Sequence, residues 1–158
     1  EKERLDGFPF HHVHAVGKGG WDAMEQALRQ RGLDGCAQLD VRQYIYNMAT
    51  VMRAADLVIC RAGASTISEL TALGVPAIMV PSPYVTNNHQ EKNARLLEAH
   101  GGARVLLESE AGGAALYQAA ADILRDKDTQ RRMRQGMAQL GIPDAAERIY
   151  DTVMALVR

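Results

Sequence analysis

Short apolar runs alternate with longer amphipathic stretches along the chain, a pattern that predicts βαβ units and a parallel sheet. Five apolar runs predict strands, at residues 12–16, 36–39, 57–60, 77–80 and 104–107. The runs 57–60 and 77–80 are apolar at every position, which favours strands that helices cover on both faces. The fold class is therefore predicted to be α/β with a parallel sheet.

Seven amphipathic stretches predict helices, at residues 21–31, 48–54, 66–73, 90–100, 114–125, 129–140 and 145–156. Gly74 is expected to end the third of these helices, with Pro76 just beyond it, and Gly101-Gly102 ends the fourth in the same way. The last three helices follow one another without a strand between them, so the sheet is predicted to end after Leu107. No linker or internal repeat divides the chain, which predicts a single domain over residues 1–158.

Charge and composition exclude several classes of protein. The 158 residues include 18 Lys plus Arg and 19 Asp plus Glu, a net charge of −1 that gives no electrostatic case for nucleic-acid binding. Apolar residues make up 47% of the chain, which argues against disorder, and no apolar run approaches the ~18 residues needed to span a bilayer. Cys36 and Cys60 are too few for a disulfide framework or a zinc site and are expected to be small buried hydrophobes.

The stretch 61–69 follows an apolar strand directly and opens a helix, which is where parallel α/β sheets bind ligands. Gly63 lets a ligand approach the backbone, and a helix start with the hydroxyls of Ser65 and Thr66 suits a phosphate. Glu69 would accept hydrogen bonds from a ribose diol. Thr66 and Glu69 also match the two ends of a capping box, in which the Glu bonds the cap amide, and the spacing leaves both interpretations open.

Two further stretches follow predicted strands. The polar residues of the stretch 81–93 would read sugar hydroxyls; alternatively, Asn87, Asn88 and His89 turn and cap the chain. The stretch 44–48 would hold a flat base between apolar side chains, or it packs in the core. The histidines near residue 12 lie on alternating faces of a strand, so no metal site is predicted.

Three segments of the chain, residues 56–70, 74–81 and 89–94, closely resemble the MurG family. The resemblance runs from about Phe10 to the C-terminus and keeps the order of the three motifs. Members of this family transfer N-acetylglucosamine from UDP-N-acetylglucosamine to undecaprenyl-diphospho-N-acetylmuramoyl-pentapeptide in peptidoglycan synthesis. They have the GT-B architecture of two Rossmann-like halves, and the resemblance implies that this chain is the C-terminal, donor-binding half.

The resemblance also implies roles for individual residues. The backbone of Ile45 would meet the uracil edge, with Met48 packed nearby, and Glu69 would hold the ribose hydroxyls. Gln90 would contact the sugar, with His89 beside it. The full set of substrate-binding residues implied in this way is Ile45, Met48, Gly63, Ala64, Ser65, Thr66, Ile67, Ser68, Glu69, His89 and Gln90. No metal and no cofactor are expected.

Several parts of the family have no match in this chain. The N-terminal half with its acceptor site, membrane-docking surface and general base is expected to be missing, as is the first, central strand of the donor domain. The chain alone is therefore expected to contain no catalytic residue, to be inactive in transfer and to be unstable. In the strand order 3-2-1-4-5-6, the runs 12–16 and 57–60 would then flank a slot or pair directly by collapse.

The implied reaction is an inverting transfer, in which the muramoyl 4-hydroxyl attacks the anomeric carbon while UDP leaves. The implied partners are UDP-N-acetylglucosamine, the lipid-linked acceptor and an anionic membrane surface, with a peripheral location on the cytoplasmic side of the bacterial cell membrane. One alternative is the donor-binding half of another lipid-linked N-acetylglucosamine transferase. The other is a non-catalytic module that binds a nucleotide sugar.

Overall fold

The computed structural model describes residues 10–157, which contain five short strands and seven helices. The strands are β1 His12–Ala15, β2 Leu39–Arg42, β3 Val58–Cys60, β4 Ala77–Met79 and β5 Ala103–Val105. The helices are α1 Trp21–Gln30, α2 Met48–Ala54, α3 Ala64–Leu73, α4 His89–Ala99, α5 Gly113–Arg125, α6 Lys127–Leu140 and α7 Ala145–Leu156. Within the described residues, no helix is long and apolar enough to cross a membrane.

The chain divides into two compact units, Glu1–Met48 and Ala49–Arg158. In the first unit β1 and β2 form a parallel pair, in register from His12 opposite Leu39 to Ala15 opposite Arg42. In the second unit three parallel strands form a sheet in the order β3-β4-β5. The single domain expected from the sequence stays a prediction.

The predicted alternation of strands and helices is confirmed, and the predicted ends lie within two residues of the observed ones in every element except β2. The strand predicted at residues 36–39 is wrong, because the pairing segment is Leu39–Arg42. Cys36 lies instead in a turn, where its N–H donates to Leu33 O at 3.2 Å and its carbonyl accepts from Leu39 N at 3.1 Å. The strand itself alternates apolar with charged residues, as a half-covered strand does.

Strand β4 is covered on both faces, as its uniformly apolar sequence predicts. Ala77 and Met79 belong to one core cluster with Leu70, Leu97 and Met137. The side chain between them on the strand, Ile78, belongs to a second cluster built with residues of α5 and α6. The middle strand of the sheet is therefore the place where helices from both sides meet.

Strand β3 does not match the same prediction, because Ile59 is 47% exposed. Its neighbours Val58 and Cys60 pack against the first core cluster, but Ile59 points to the opposite face. β3 is also an end strand of its sheet, with β4 as its neighbour. An apolar run thus predicted two covered faces where one is covered.

The strands form two sheets, so of the two alternatives expected for the runs 12–16 and 57–60, a slot or direct pairing, the direct pairing does not occur. The pairings that do form, β1 with β2 and β3-β4-β5, are those that the order 3-2-1-4-5-6 gives for strands two to six.

Glycines end α3 and α4 as the sequence predicts. Gly74 has a φ of 64°, and Val75 N–H donates to Leu70 O at 3.0 Å. Gly101 has a φ of 71°, and the next amide, that of Gly102, donates to Leu97 O at 2.9 Å. This left-handed turn lets each helix pass directly into the next strand, because only glycine adopts it without strain.

Helix α6 approaches the turn after α4 closely at Gly136. A Cβ atom at this position would overlap the carbonyl oxygen of His100 and lie 2.7 Å from the Gly102 nitrogen. Both neighbours are backbone atoms, so neither moves aside by a change of rotamer. The close approach therefore depends on the absence of a side chain.

We expect Gly136→Ala to lower the free energy of unfolding by about 1–3 kcal/mol, because the added methyl group overpacks this contact. Urea unfolding followed by circular dichroism measures the change. Gly113→Ala is the matched control, since its added Cβ meets no atom within 4 Å. That control should be neutral or stabilising by about 0.4–1 kcal/mol. Equal stability of the two variants would contradict the packing argument.

Candidate functional site

The carboxyl ends of β3, β4 and β5 lie at one edge of the three-stranded sheet, because the strands are parallel. Three segments leave this edge: the turn from Arg61 to Gly63, the loop that starts at Val80, and the segment from Leu106 to Glu108. Such an edge is where open α/β sheets bind their ligands. The candidate site is therefore built from these segments upward.

The turn after β3 presents unbonded backbone donors. Helix α3 begins at Ala64, and the first amide bonded inside it is that of Ile67, which donates to Gly63 O at 3.0 Å. Within the described residues the N–H groups of Ala64, Ser65 and Thr66 make no hydrogen bond. A Cβ at Gly63 would meet nothing within 4 Å. Free amides at a helix start, next to open space, suit an anion.

The capping-box interpretation of residues 66–69 is wrong. Gly63 is the N-cap residue of α3, so Thr66 already lies inside the helix, and no side chain caps it. Glu69 is exposed, one turn further along, and its carboxylate has no hydrogen bond or ion pair within the described residues. This carboxylate is thus available to a ligand.

The side chains at the start of α3 differ in whether their polar groups are free to bind a ligand. The hydroxyls of Ser65 and Thr66 have no partner within residues 10–157. The Ser68 hydroxyl donates to Ala64 O at 3.0 Å. Ile67 packs its side chain against the core and uses its amide inside the helix. The polar groups left for a ligand here are therefore those of Ser65, Thr66 and Glu69.

A largely apolar cavity of about 250 Å³ lies beside Glu69. Its lining residues come from α2 and α3 and are Ala49, Met52, Glu69, Ala72 and Leu73. The small side chains of Ala49 and Ala72 make room for the cavity, and the buried Met52 lines it. Apart from Glu69, these residues were not predicted to take part in a site. The available signal was their spacing of three on each helix, which places them on one face.

Gln90, near the start of α4, is hydrogen-bonded to the backbone of the loop after β4. Its Oε1 accepts a hydrogen bond from Ser82 N–H at 2.9 Å. This bond leaves the two Nε2 protons of Gln90 for another partner. Next to it, His89 Nδ1 lies 2.9 Å from Thr86 O, a bond in which the ring nitrogen donates. His89 and Gln90 thus both start α4 with one side-chain atom fixed.

Asn87 and Asn88 turn the chain into α4, as one alternative from the sequence proposed. Both adopt left-handed backbone angles, with φ of 54° and 50°. Asn88 occupies the N-cap position, but its side chain donates to Glu91 Oε2 at 2.6 Å instead of capping the helix. The turning role is confirmed and the capping role is wrong.

The residues around Ile45 belong to the first unit. The Ile45 side chain is buried, as core packing predicts. The neighbouring rings of Tyr44 and Tyr46 meet edge to face, with centroids 4.9 Å apart. Met48, at the start of α2, is 41% exposed.

Neither cysteine belongs to a metal cluster. Among the described residues, no three His, Cys, Asp or Glu side chains are grouped so as to hold a metal ion. Cys36 is buried, and the Sγ of Cys60 lies 3.8 Å from Met79 Sδ. Burial raises the pKa of the Cys60 thiol to about 11, because it disfavours the thiolate.

The parallel sheet, with free helix amides and an unpaired carboxylate at its carboxyl edge, places this chain in the class of α/β proteins whose ligand sites are found at the strand ends. The chain belongs to the family described as glycosyltransferase family 28 C-terminal domain, whose model matches residues 1–149.

Relatives of known name are similar over nearly the whole chain. A protein of Acetivibrio thermocellus is 42% identical over 157 residues, which is 99% of this chain and 42% of the relative. A protein of Bacillus cereus is 40% identical over 156 residues, with 99% and 42% covered. Each bears the name UDP-N-acetylglucosamine--N-acetylmuramyl-(pentapeptide) pyrophosphoryl-undecaprenol N-acetylglucosamine transferase, the second with the number 1. The chain therefore spans less than half the length of these curated relatives.

A solved structure shares the fold. The crystal structure of Acinetobacter baumannii MurG matches with a TM-score of 0.73 and 30% sequence identity, over 90% of this chain and 42% of that one. The predicted fold class, a Rossmann-like half of a GT-B glycosyltransferase, is confirmed by this match. The resemblance to the MurG family seen in the sequence is confirmed as well.

We expect Cys60 to react slowly with iodoacetamide at pH 8 and its rate to rise with a midpoint near pH 11, because the reactive thiolate is disfavoured by burial. Mass spectrometry of the Cys60 peptide measures the rate at each pH, under conditions where circular dichroism shows the chain folded. A midpoint near the ordinary value for cysteine would contradict the burial seen here.

Proposed function

We propose that this chain is the donor-binding part of an inverting glycosyltransferase. The donor is UDP-N-acetylglucosamine, and the acceptor is undecaprenyl-diphospho-N-acetylmuramoyl-pentapeptide of peptidoglycan synthesis. Membership of the family and the names of the relatives support this substrate pair. The observation that carries the proposal is the start of α3, with its unbonded amides and the unpaired Glu69.

The start of α3 is the proposed site for the diphosphate. The amides of residues 64–66 and the hydroxyls of Ser65 and Thr66 offer several donors to phosphate oxygens. The helix dipole places partial positive charge at the same point. Gly63 leaves space for the ligand to approach the backbone. The start of α3 therefore accounts for the diphosphate, and the nucleoside and the sugar need other contacts.

Glu69 is the proposed ribose ligand. Its carboxylate follows the free amides by about one turn of α3, which is roughly 5 Å along the helix axis. A carboxylate accepts hydrogen bonds from two vicinal hydroxyls, and such charge-assisted bonds are the stronger kind. The adjoining apolar cavity, lined by Met52 and Leu73, would accept carbon atoms of the nucleoside.

Ile45 is the proposed partner of the uracil edge. Uracil presents an N–H donor next to carbonyl acceptors, and a backbone C=O and N–H complement this pair. The resemblance of the chain to its family supports this assignment. Met48 would pack beside the base, since its side chain is partly exposed.

Gln90 and His89 are the proposed sugar contacts. The Ser82 amide holds Gln90 Oε1, which leaves Nε2 to donate to a sugar hydroxyl. The His89 ring is held through Nδ1, which leaves Nε2 for a second contact. Among the remaining residues of the proposed site, Ala64 contributes its amide. Ile67 and Ser68 contribute indirectly, because they lie in the first turns of α3.

In the proposed reaction the chain stabilises the leaving group. Negative charge grows on the UDP phosphate as the glycosidic bond breaks, and donors already fixed at the helix start meet it without reorganising. The acceptor hydroxyl and the base that deprotonates it are placed outside this chain. The chain thus binds the donor and stabilises the departing UDP. The remaining rate enhancement comes from positioning the acceptor.

The proposed acceptor is attached to a lipid and the donor is a soluble nucleotide sugar. We therefore propose that the full polypeptide works as a peripheral protein on the cytoplasmic side of the bacterial membrane, in contact with its anionic surface.

A transfer assay tests the proposed function. The full-length polypeptide that contains this chain is incubated with radiolabelled UDP-N-acetylglucosamine and the lipid-linked muramoyl-pentapeptide, with UDP-glucose as the control donor. We expect label in the lipid fraction from the first donor and much less from the second. Donor binding without transfer would instead support a nucleotide-sugar binding module. Absence of donor binding would contradict the proposal.

We expect Glu69→Ala in the full-length polypeptide to raise the dissociation constant for UDP about tenfold or more, because a charge-assisted bond worth ~1.5–3 kcal/mol is lost. The thermal midpoint should not change, since the carboxylate has no partner in the described structure. Calorimetric titration with UDP measures the first quantity, and Glu147→Ala on α7 is the control. Unchanged affinity for UDP would remove Glu69 from the site.

We expect Gly63→Ala to weaken UDP binding by about tenfold, or 1.4 kcal/mol, while leaving stability unchanged or slightly raised. Gly63 has a φ of −72° and ψ of 145°, which alanine adopts without strain, and its Cβ would enter open space. That space is the proposed path of the diphosphate. Parallel titrations and thermal melts of this variant measure both quantities. Normal affinity would show that the ligand approaches from elsewhere.

A further inference from the structure

Arg61 joins the three segments that leave the carboxyl edge of the β3-β4-β5 sheet. It follows β3 directly, and its Nη1 donates to Val80 O at 3.2 Å and more weakly to Pro81 O at 3.5 Å, both just after β4. Its Nη2 donates to Glu108 Oε1 at 3.1 Å, and Nη1 also contacts Oε2 of this carboxylate. Glu108 follows β5, so one guanidinium connects all three segments.

The pair lies between the two segments that carry the proposed donor contacts. The free amides of residues 64–66 begin three residues after Arg61, directly past Gly63. The Ser82 amide, which holds Gln90, directly follows Pro81. A shift of Arg61 would therefore move the diphosphate and the sugar contacts relative to each other.

We propose that Arg61 and Glu108 act together as positioning residues for the donor site. This inference rests on the proposed function. In it, the guanidinium fixes the distance between the start of α3 and the loop that begins at Val80, and Glu108 fixes the guanidinium. Neither side chain touches the donor.

The exposure of the pair separates this role from a role in stability. The side chains of Arg61 and Glu108 are 50% and 42% exposed. Exposed ion pairs contribute little to the free energy of unfolding, with a median of about 0–1 kcal/mol. Catalysis and binding are far more sensitive to small displacements of contacting groups than stability is. Loss of the pair should thus alter binding with little change in melting.

The same geometry argues against direct phosphate binding by Arg61. Both of its terminal nitrogens are engaged, and the Glu108 carboxylate balances its charge. Arg61 lowers the pKa of the Glu108 carboxyl, chiefly through their hydrogen bond, so the pair remains ionised at neutral pH. A phosphate would have to compete with this carboxylate. If Arg61 positions the loops, removing Glu108 therefore weakens donor binding. If Arg61 binds phosphate directly, removing Glu108 leaves donor binding unchanged or strengthens it.

The test is a double-mutant cycle in the full-length polypeptide, with Arg61→Gln, Glu108→Ala and the double variant. Arg104→Gln and Asp122→Asn are the matched controls, since this ion pair, at 3.6 Å, also links a strand to another element and is 47% and 51% exposed. We expect each variant of the Arg61–Glu108 pair to raise the donor KM about tenfold, and the double variant to do no more. The acceptor KM, the thermal midpoint and both controls should stay unchanged.

Other outcomes would overturn the proposal. Tighter or unchanged donor binding in Glu108→Ala, with weaker binding in Arg61→Gln, would identify Arg61 as a direct phosphate ligand. Additive losses would show that the two residues act separately, and a loss of binding matched by a large fall in the thermal midpoint would show a structural role only. Normal donor KM in all variants would overturn the inference while leaving the proposed function intact.

A ligand-free measurement completes the test. Amide hydrogen exchange at Ser82, whose N–H is bonded to Gln90, reports on the loop without any nucleotide. We expect exchange about tenfold faster in Arg61→Gln and Glu108→Ala than in the parent and the Arg104 control. If the parent fails to bind donor, the proposed function fails, and the inference fails with it. Unchanged exchange at Ser82 overturns the inference alone.

Discussion

The parallel pairing of β3, β4 and β5 is the constraint on which the candidate site depends. It requires every connection to cross from one edge of the sheet to the other, so all three strands deliver the chain to the same edge. The helices α3 and α4 pack into the core cluster on one face of β4, and α5 and α6 build the cluster on its other face. Glycine turns after α3 and α4 return the chain to the next strand. The polar segments lie at the carboxyl edge, where they are not packed into the core.

The position of the α3 start decides what the polar residues at that edge do. With Gly63 as N-cap, Thr66 lies inside the helix and Glu69 cannot reach back to the cap amide. Had the helix started three residues later, with Thr66 as its N-cap, Glu69 would have bonded the cap amide. A glycine cap offers no side-chain oxygen, so the amides at the start of α3 remain unbonded. A small shift of a helix end thus separates a self-contained cap from an anion site.

The sequence predicts the parts of this structure that depend on local patterns. Periodicity places the helices, and Gly74 and Gly101 end α3 and α4 because no other residue adopts the left-handed turn as readily. The exposure of Ile59 was mispredicted, because an apolar run does not show how many faces of a strand are covered. The position of β2 was mispredicted because this strand alternates apolar with charged residues and is not an apolar run. Arg61 and Glu108 lie 47 residues apart, so only the strand order brings them together.

Stability and recognition reside in different parts of the second unit. Helix α6 packs closely against the turn after α4, where Gly136 admits no side chain. The groups proposed to bind the donor are exposed or half-exposed, and the pair that connects their segments is exposed as well. Substitutions at the carboxyl edge therefore alter geometry without opening the core. For this reason the proposed positioning role of the Arg61–Glu108 pair is compatible with a small contribution of this exposed ion pair to folding.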